Sequence, residues 1–201
     1  VYGTIKLINF AHGDVYMMGA FVGFYAMNGL GLNIFLSLLL AMVSCAVLGV
    51  VIERVAYKPL RRSTRVAALI TAIGVSFLLE NVMSYLFGAE IRPFPSDFGT
   101  TNYTLFGNIT INGKQILIFA TTVILMALLQ FIVHYTKMGK AMRAVAVDED
   151  AAQLMGIDVD QVISFTFALG SSLAGIAGVL VALYYNTFSA TMGIVPGLKA
   201  F

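Results

Sequence analysis

Within the stretch Ile8-Asn9-Phe10-Ala11-His12-Gly13-Asp14 the chain gathers an amide, an imidazole, a glycine and a carboxylate. It then runs directly into the apolar segment VYMMGAFVGFYAM. Asn9 and His12 are three residues apart and share a face if helical, while Gly13 permits a break beside Asp14. A second polar pair, Glu80-Asn81, interrupts the apolar run from Val66 to Phe87. Groups of these types hydrogen-bond neighbouring helices, carry a proton or a cation, or line a path for a polar solute. Which of these they do depends on the medium around them.

That medium is a membrane. Of 201 residues, 59% are hydrophobic and only 11% are charged. The mean hydropathy of +0.90 lies far outside the range of a soluble domain. The first residue is Val1 rather than Met, and the last residues are GIVPGLKAF with no polar tail, so the sequence reads as a fragment of a longer protein. The single cysteine, Cys45, lies in an apolar run; it excludes a disulfide framework and a cysteine metal site, and reads as a small buried hydrophobe.

A helix needs about 20 mostly apolar residues to cross the hydrocarbon layer. Five stretches meet or approach this: Ala11 to Leu30, Asn33 to Ile52, Val66 to Phe87, Ile116 to Tyr135 and Ser164 to Tyr184. The expected fold is therefore all-α, a polytopic transmembrane helical bundle forming a single domain over residues 1–201. Orientation follows the distribution of Lys and Arg in short loops. Arg54, Lys58, Arg61, Arg62 and Arg65 follow the second span, and Lys137, Lys140 and Arg143 follow the fourth; the loop over residues 88–115 has only Arg92 and Lys114. Both basic loops are thus expected in the cytoplasm, with residues 1 to 10 on or near the same side, and the 88–115 loop outside. In that outer loop the alternation from Tyr103 to Ile111, interrupted at Gly107-Asn108, predicts a small hairpin cap.

Ionisable groups inside a span are costly unless they face a partner or a cavity. A broken helix is tolerated at membrane depth only where the freed backbone is buried in protein or lines a water-filled path. Asn9, His12 and Asp14 are therefore candidates for the lining of a permeation pathway. Glu80 and Asn81, about 15 residues or roughly 22 Å along their span, are candidates in its outer part, where Glu80 could also reach water or a lysine. Structural hydrogen bonding between helices is the plainer role for all of them. Gly170, Ala174 and Gly178 recur every four residues, as do Ser171 and Gly175, and Gly19 and Gly23; small residues at that spacing let helices approach closely.

The 136–163 loop differs from the short basic one. It begins basic and becomes acidic at Asp148, Glu149, Asp150, Asp158 and Asp160. Acidic residues favour a helix start and Gly156 suits its end, so a short amphipathic helix is predicted over Glu149 to Met155, offering Ala151, Ala152, Leu154 and Met155 as apolar surface. No phosphate-binding loop, zinc-protease motif, metal-ligand cluster or nucleophile elbow occurs in the sequence. The expectation is a transport subunit, not an enzyme, without catalytic residue, metal or cofactor, and without a nucleic-acid partner.

The segments GTIKLINFAHGDVYMMGAF, VIERVAYKPLRRSTRVAALITAIGVSFLLEN, AMRAVAVDEDAAQLMGIDVDQVISFTFALGSSLAGIAGVL and GIVPGLKAF together resemble the membrane-spanning permeases of bacterial ABC importers for branched-chain amino acids, of the LivH type. The resemblance extends along essentially the whole chain. It implies multi-pass residence in the bacterial inner membrane and, as partners besides the lipid bilayer, two ATP-binding cassette subunits, a second homologous permease and an extracytoplasmic solute-binding protein. It also implies about eight spans, of which this fragment holds five, with the first missing before Val1 and a second pathway segment beginning near Gly193 to Gly197. Asp150-Ala151-Ala152 followed by Gly156 is similar to the importers' coupling-helix motif, with Asp in place of Glu and without its hydrophobic-Pro ending. NFAHGD is similar to the polar break in a pathway helix. A urea or short-amide permease of the same type shares much of this pattern. An ion-coupled carrier using His12, Asp14 or Glu80 needs no docking helix, and a passive anchor needs no polar break.

Overall fold

A computed structural model describes residues 11–60, 63–95, 102–105 and 109–200. It is predominantly helical. Helix α1 (His12–Asn28) is followed by α2 (Ile34–Ile52), which continues without interruption through a π-helical turn at Glu53–Tyr57 and a 3-10 turn at Lys58–Leu60. Next come α3 (Arg65–Phe87), the strand β1 (Arg92–Pro93), the hairpin β2 (Asn102–Leu105) and β3 (Ile109–Asn112), and α4 (Gly113–Tyr135). Two short helices, α5 (Lys137–Val147) and α6 (Glu149–Leu154), precede the longest one, α7 (Val159–Tyr185), and the described chain closes with β4 (Thr187–Phe188) and α8 (Ile194–Ala200).

Among the described residues four helical stretches are long and apolar enough to cross a membrane: Ile34–Leu60, Val66–Phe87, Gly113–Tyr135 and Val159–Tyr185. The fifth expected span is α1, which at 17 residues is shorter than a full crossing and carries a carboxylate in its first turn. Two other boundaries move because polar residues cap helices further out than hydropathy reaches. Asp158 accepts a hydrogen bond from the Gln161 amide at 3.1 Å and starts α7 ahead of Ser164. The Asn112 amide donates to the Gln115 side-chain oxygen at 3.3 Å, one arm of a capping box, where α4 starts ahead of Ile116. Likewise α2 does not stop at Ile52, so Arg54 and Lys58 ride on its helical extension instead of a loop.

Helix α7 is the centre of the bundle, and small residues put it there. Ser171, Ala174, Gly175 and Gly178 are all buried. A Cβ on Gly19 would fall on the backbone of Gly175, and one on Gly178 would strike the Tyr16 carbonyl. On the α2 side, Gly49 leaves room for the Ser171 hydroxyl, and Gly175 lies against Cys45 and the Ala41 carbonyl. Cys45 is 1% exposed and its thiol approaches the Val15 carbonyl at 3.6 Å, so the thiol acts as a packing group. Helix α4 by contrast buries only Lys114 among its residues, leaving an apolar outer surface suited to lipid.

The two ends of the bundle differ. One carries Arg54, Lys58, Lys137, Lys140 and Arg143 and the pair α5–α6. At the other, β1 pairs antiparallel with β4, and the expected hairpin forms with Leu105 opposite Ile109. Phe188 is enclosed there by Phe21 at 4.9 Å, Phe24 at 4.7 Å and Phe94 at 5.9 Å between ring centroids. The two basic residues of this region are engaged by the bundle: Arg92 donates to the Phe87 carbonyl, and Lys114 donates to the Asn186 side-chain oxygen.

If backbone approach at α7 holds the bundle, Gly175→Val should lower stability by about 1–3 kcal/mol through overpacking. Gly74→Ala, whose Cβ meets open space on α3, should gain about 0.5–1 kcal/mol from helix propensity. Thermal denaturation in detergent micelles is expected to shift Tm in opposite directions, and a Gly175→Val protein as stable as the parent would refute the packing argument.

Candidate functional site

Two independent rulers place the start of α1 deep within the bundle. Gly19 lies against Gly175, which is 16 residues, about 24 Å, along α7 from Val159. The Asp14 carboxyl faces the Ser76 hydroxyl and the Glu80 carboxyl, and Glu80 stands 15 residues, about 22 Å, along α3 from Arg65. Helix α1 therefore begins near mid-height, with His12, Gly13 and Asp14 forming its first turn.

The first turn is closed by a second short segment. A Cβ on Gly13 would collide with the Gly193 carbonyl, and one on Gly193 would collide with that of Gly13. Only glycine at both positions lets α8 seat its beginning on the beginning of α1. Two helix starts thus converge on this region, and the positive end of the α1 dipole favours an anion in its first turn. That helps to explain how Asp14 can be 2% exposed, since an uncompensated buried carboxylate is otherwise very costly. Compensation is incomplete: Asp14 Oδ2 and His12 Nδ1 are buried atoms with no hydrogen-bond partner.

Of the residues proposed from sequence for a pathway, Asp14 and Glu80 are brought face to face from different helices, 66 residues apart in the chain. Glu80, half-buried, faces the Asp14 carboxyl there. His12 is half-buried on the adjoining turn, while Asn9 lies outside the described residues. Asn81 turns away: it is exposed, and its amide donates to the Phe77 carbonyl of its own helix at 2.7 Å. Ser76, one turn before Glu80, is the member that sequence reasoning missed; the i, i+4 spacing of Ser76 and Glu80 was its available signal. An open groove of about 550 Å³ lies toward the hairpin end, lined by residues that include Tyr16, Ile91, Tyr185, Phe188 and Met192, and none of His12, Asp14, Ser76 and Glu80 lines it.

A second constellation forms at the basic end. Asp148 caps α6 by accepting from the Ala151 amide at 3.0 Å, with Glu149 and Asp150 in the first turn. At the far end the Gly156 amide donates to the Gln153 carbonyl at 3.0 Å and the Ile157 amide to that of Ala152 at 3.1 Å, with Gly156 at φ 83°. This is a Schellman ending, which requires the left-handed residue that glycine supplies. Of the expected apolar surface, Ala151, Leu154 and Met155 are exposed, joined by Val147 from α5, whereas Ala152 is 1% exposed and packs inward. Helix α5 itself was not foreseen, because its basic residues read as a connector. Met138, Met142 and Val145 at helical spacing were its signal, with Thr136 capping it by accepting from the Gly139 amide at 3.0 Å.

The chain matches the family described as branched-chain amino acid transport system, permease component, over residues 1–201. It is 38% identical over 212 residues to the Escherichia coli (strain K12) high-affinity branched-chain amino acid transport system permease protein LivH, covering all of this chain and 69% of the relative. To the Pseudomonas aeruginosa permease protein BraD of the same description it is 36% identical over 214 residues, again covering all of this chain and 69% of the relative. A probable branched-chain amino acid transport permease protein LivH of Methanocaldococcus jannaschii is 31% identical over 205 residues, covering 96% of this chain and 62% of that protein. No solved structure matches the chain. With one family matching its whole length, and permeases of that description aligned along all of it, the chain belongs to the branched-chain amino acid transport system permease components.

Proposed function

We propose that the chain is part of a membrane-spanning permease subunit of an ATP-driven importer that moves branched-chain amino acids across the bacterial inner membrane. The permease alternates between inward and outward openings as two ATP-binding cassette subunits bind and hydrolyse ATP, in complex with a second homologous permease. An extracytoplasmic binding protein selects the solute. In this reading the basic end is cytoplasmic and the 88–115 loop is outside. Helix α1 counts as a pathway helix within a bundle of about eight spans, and the segment from Gly193 to Gly197 as its counterpart.

The observation that carries the reading is the α5–α6 projection. It is a capped, well-packed helical pair at the basic end, and Leu154 and Met155 are 90% and 73% exposed. Rigid apolar surface of that kind, ringed by acidic and basic residues, suits a protein groove rather than solvent. The polar first turn of α1, with Asp14, Ser76 and Glu80, supplies a hydrophilic step midway along an otherwise apolar route. Energy for active transport has to come from partner chains or from an ion gradient, since the sequence has no ATP-binding motif. One observation favours a second reading: a carboxyl pair at mid-depth is what an ion-coupled carrier uses to bind its coupling ion.

Uptake of labelled leucine by cells expressing the full-length permease with its partner subunits separates the two readings. With a catalytically dead ATPase, uptake is expected to fall to background; uptake indifferent to the ATPase establishes the carrier. Replacing Leu154 with Asp should weaken co-purification of the ATPase by about tenfold or more, as burying a charge in an apolar contact requires, while membrane insertion is unchanged. Asp14→Asn should reduce leucine uptake by about tenfold, equivalent to about 1.4 kcal/mol on the transport barrier, with the subunits still assembling. Normal uptake in that variant would leave Asp14 a structural group.

A further inference from the structure

Glu53 is 0% exposed and lies where α2 passes into its π-helical turn. It accepts a hydrogen bond from the Ser164 hydroxyl of α7 at 2.7 Å, across 111 residues of chain. One turn further on, Lys58 pairs with Asp160 at 2.7 Å, with both side chains about half exposed. Between these two links Tyr57, 2% exposed, packs its ring on Phe167 of α7 at 5.1 Å. The π-turn and the residue after it are therefore fastened to the first three turns of α7 by a buried hydrogen bond, a ring contact and a surface ion pair. Single π-turns inside longer helices occur frequently at functional sites, and a buried carboxylate is retained at a cost that plain packing does not justify.

The position of this fastening matters more than its strength. The apolar cluster around Tyr57 and Phe167 also contains Met142 of α5, Ala152 of α6 and Val162 of α7. The same cluster continues to Cys45 and Val15, the residue after Asp14. A push on the exposed side of α6 therefore meets α7 directly, the helix against which α1 is packed, and the joint at Glu53 ties α2 to that movement.

We propose that Glu53 is a positioning residue that, through its bond to Ser164, makes α2 move together with α7 when the α5–α6 projection is pushed, so that ATP hydrolysis on the partner is converted into movement at the polar turn of α1, which packs on both helices. This rests on the importer reading above. Loss of the bond should leave ATP hydrolysis running while import falters.

The test uses the full transporter reconstituted in vesicles, with ATP hydrolysed per leucine imported as the readout. In Ser164→Ala the ratio should rise about tenfold, within the range of ordinary coupling between sites, with subunit assembly unchanged. Ser164→Thr, which keeps the hydroxyl, should restore the parental ratio, and a Glu53→Leu, Ser164→Ala double variant should be no worse than the more severe single variant. If Ser164→Ala does not assemble, Glu53→Leu alone, which removes the acceptor, carries the same expectation of a raised ratio. A ratio equal to the parent's in either variant, or effects that multiply in the double variant, overturns the proposal. A parent transporter whose uptake is independent of hydrolysis overturns the importer reading itself, which is a separate result.

Discussion

Backbone-to-backbone approach along α7 is the constraint on which the rest of the structure depends. In lipid, apolar side chains gain little by meeting one another, because the tails around them are equally apolar. Association has to come from close van der Waals contact and from polar groups that find partners. The chain meets the first requirement by placing Gly19 on Gly175, Tyr16 on Gly178 and Gly49 on Ser171. Those contacts fix the height of α1 against α7 and of α2 against α7, and every polar group in the interior takes its position from them.

The second requirement is met in two layers. Near mid-height, converging helix starts and the Ser76 hydroxyl surround a carboxyl pair. Toward the basic end, Glu53 and Ser164 share a hydrogen bond inside an apolar cluster. Both layers join α7 or α3 to a helix close to it in space but remote in sequence. The end bearing the hairpin is closed differently, by aromatic contacts on Phe188 and by Arg92 and Lys114 reaching helix ends. Mobile apolar packing is thus held between polar fasteners, and α3 and α4 remain largely on the outside.

Much of this was legible in the sequence. Apolar length located the long helices, charge located the basic end, and the small-residue spacing in GSSLAGIAG named the surface of α7 that is buried. The cap and stop of α6 at Asp148 and Gly156 were readable because each rests on local backbone chemistry. The failures share a cause. Whether Ala152 faces in or out, whether Asn81 joins Glu80, and whether Glu53 belongs to a loop all depend on which distant helix lies alongside, and no local pattern carries that information. Helix α1 misled in another way: hydropathy measures the length of an apolar run but not the height at which it begins.

The reciprocal contact between Gly13 and Gly193 joins positions 180 residues apart. During synthesis the polar beginning of α1 therefore emerges about 180 residues before the segment that covers it. Throughout that interval His12 and Asp14 have to be sheltered by water, by the insertion machinery or by a provisional neighbour. The polar turn of α1 is in that sense finished late, when α8 arrives to close over it.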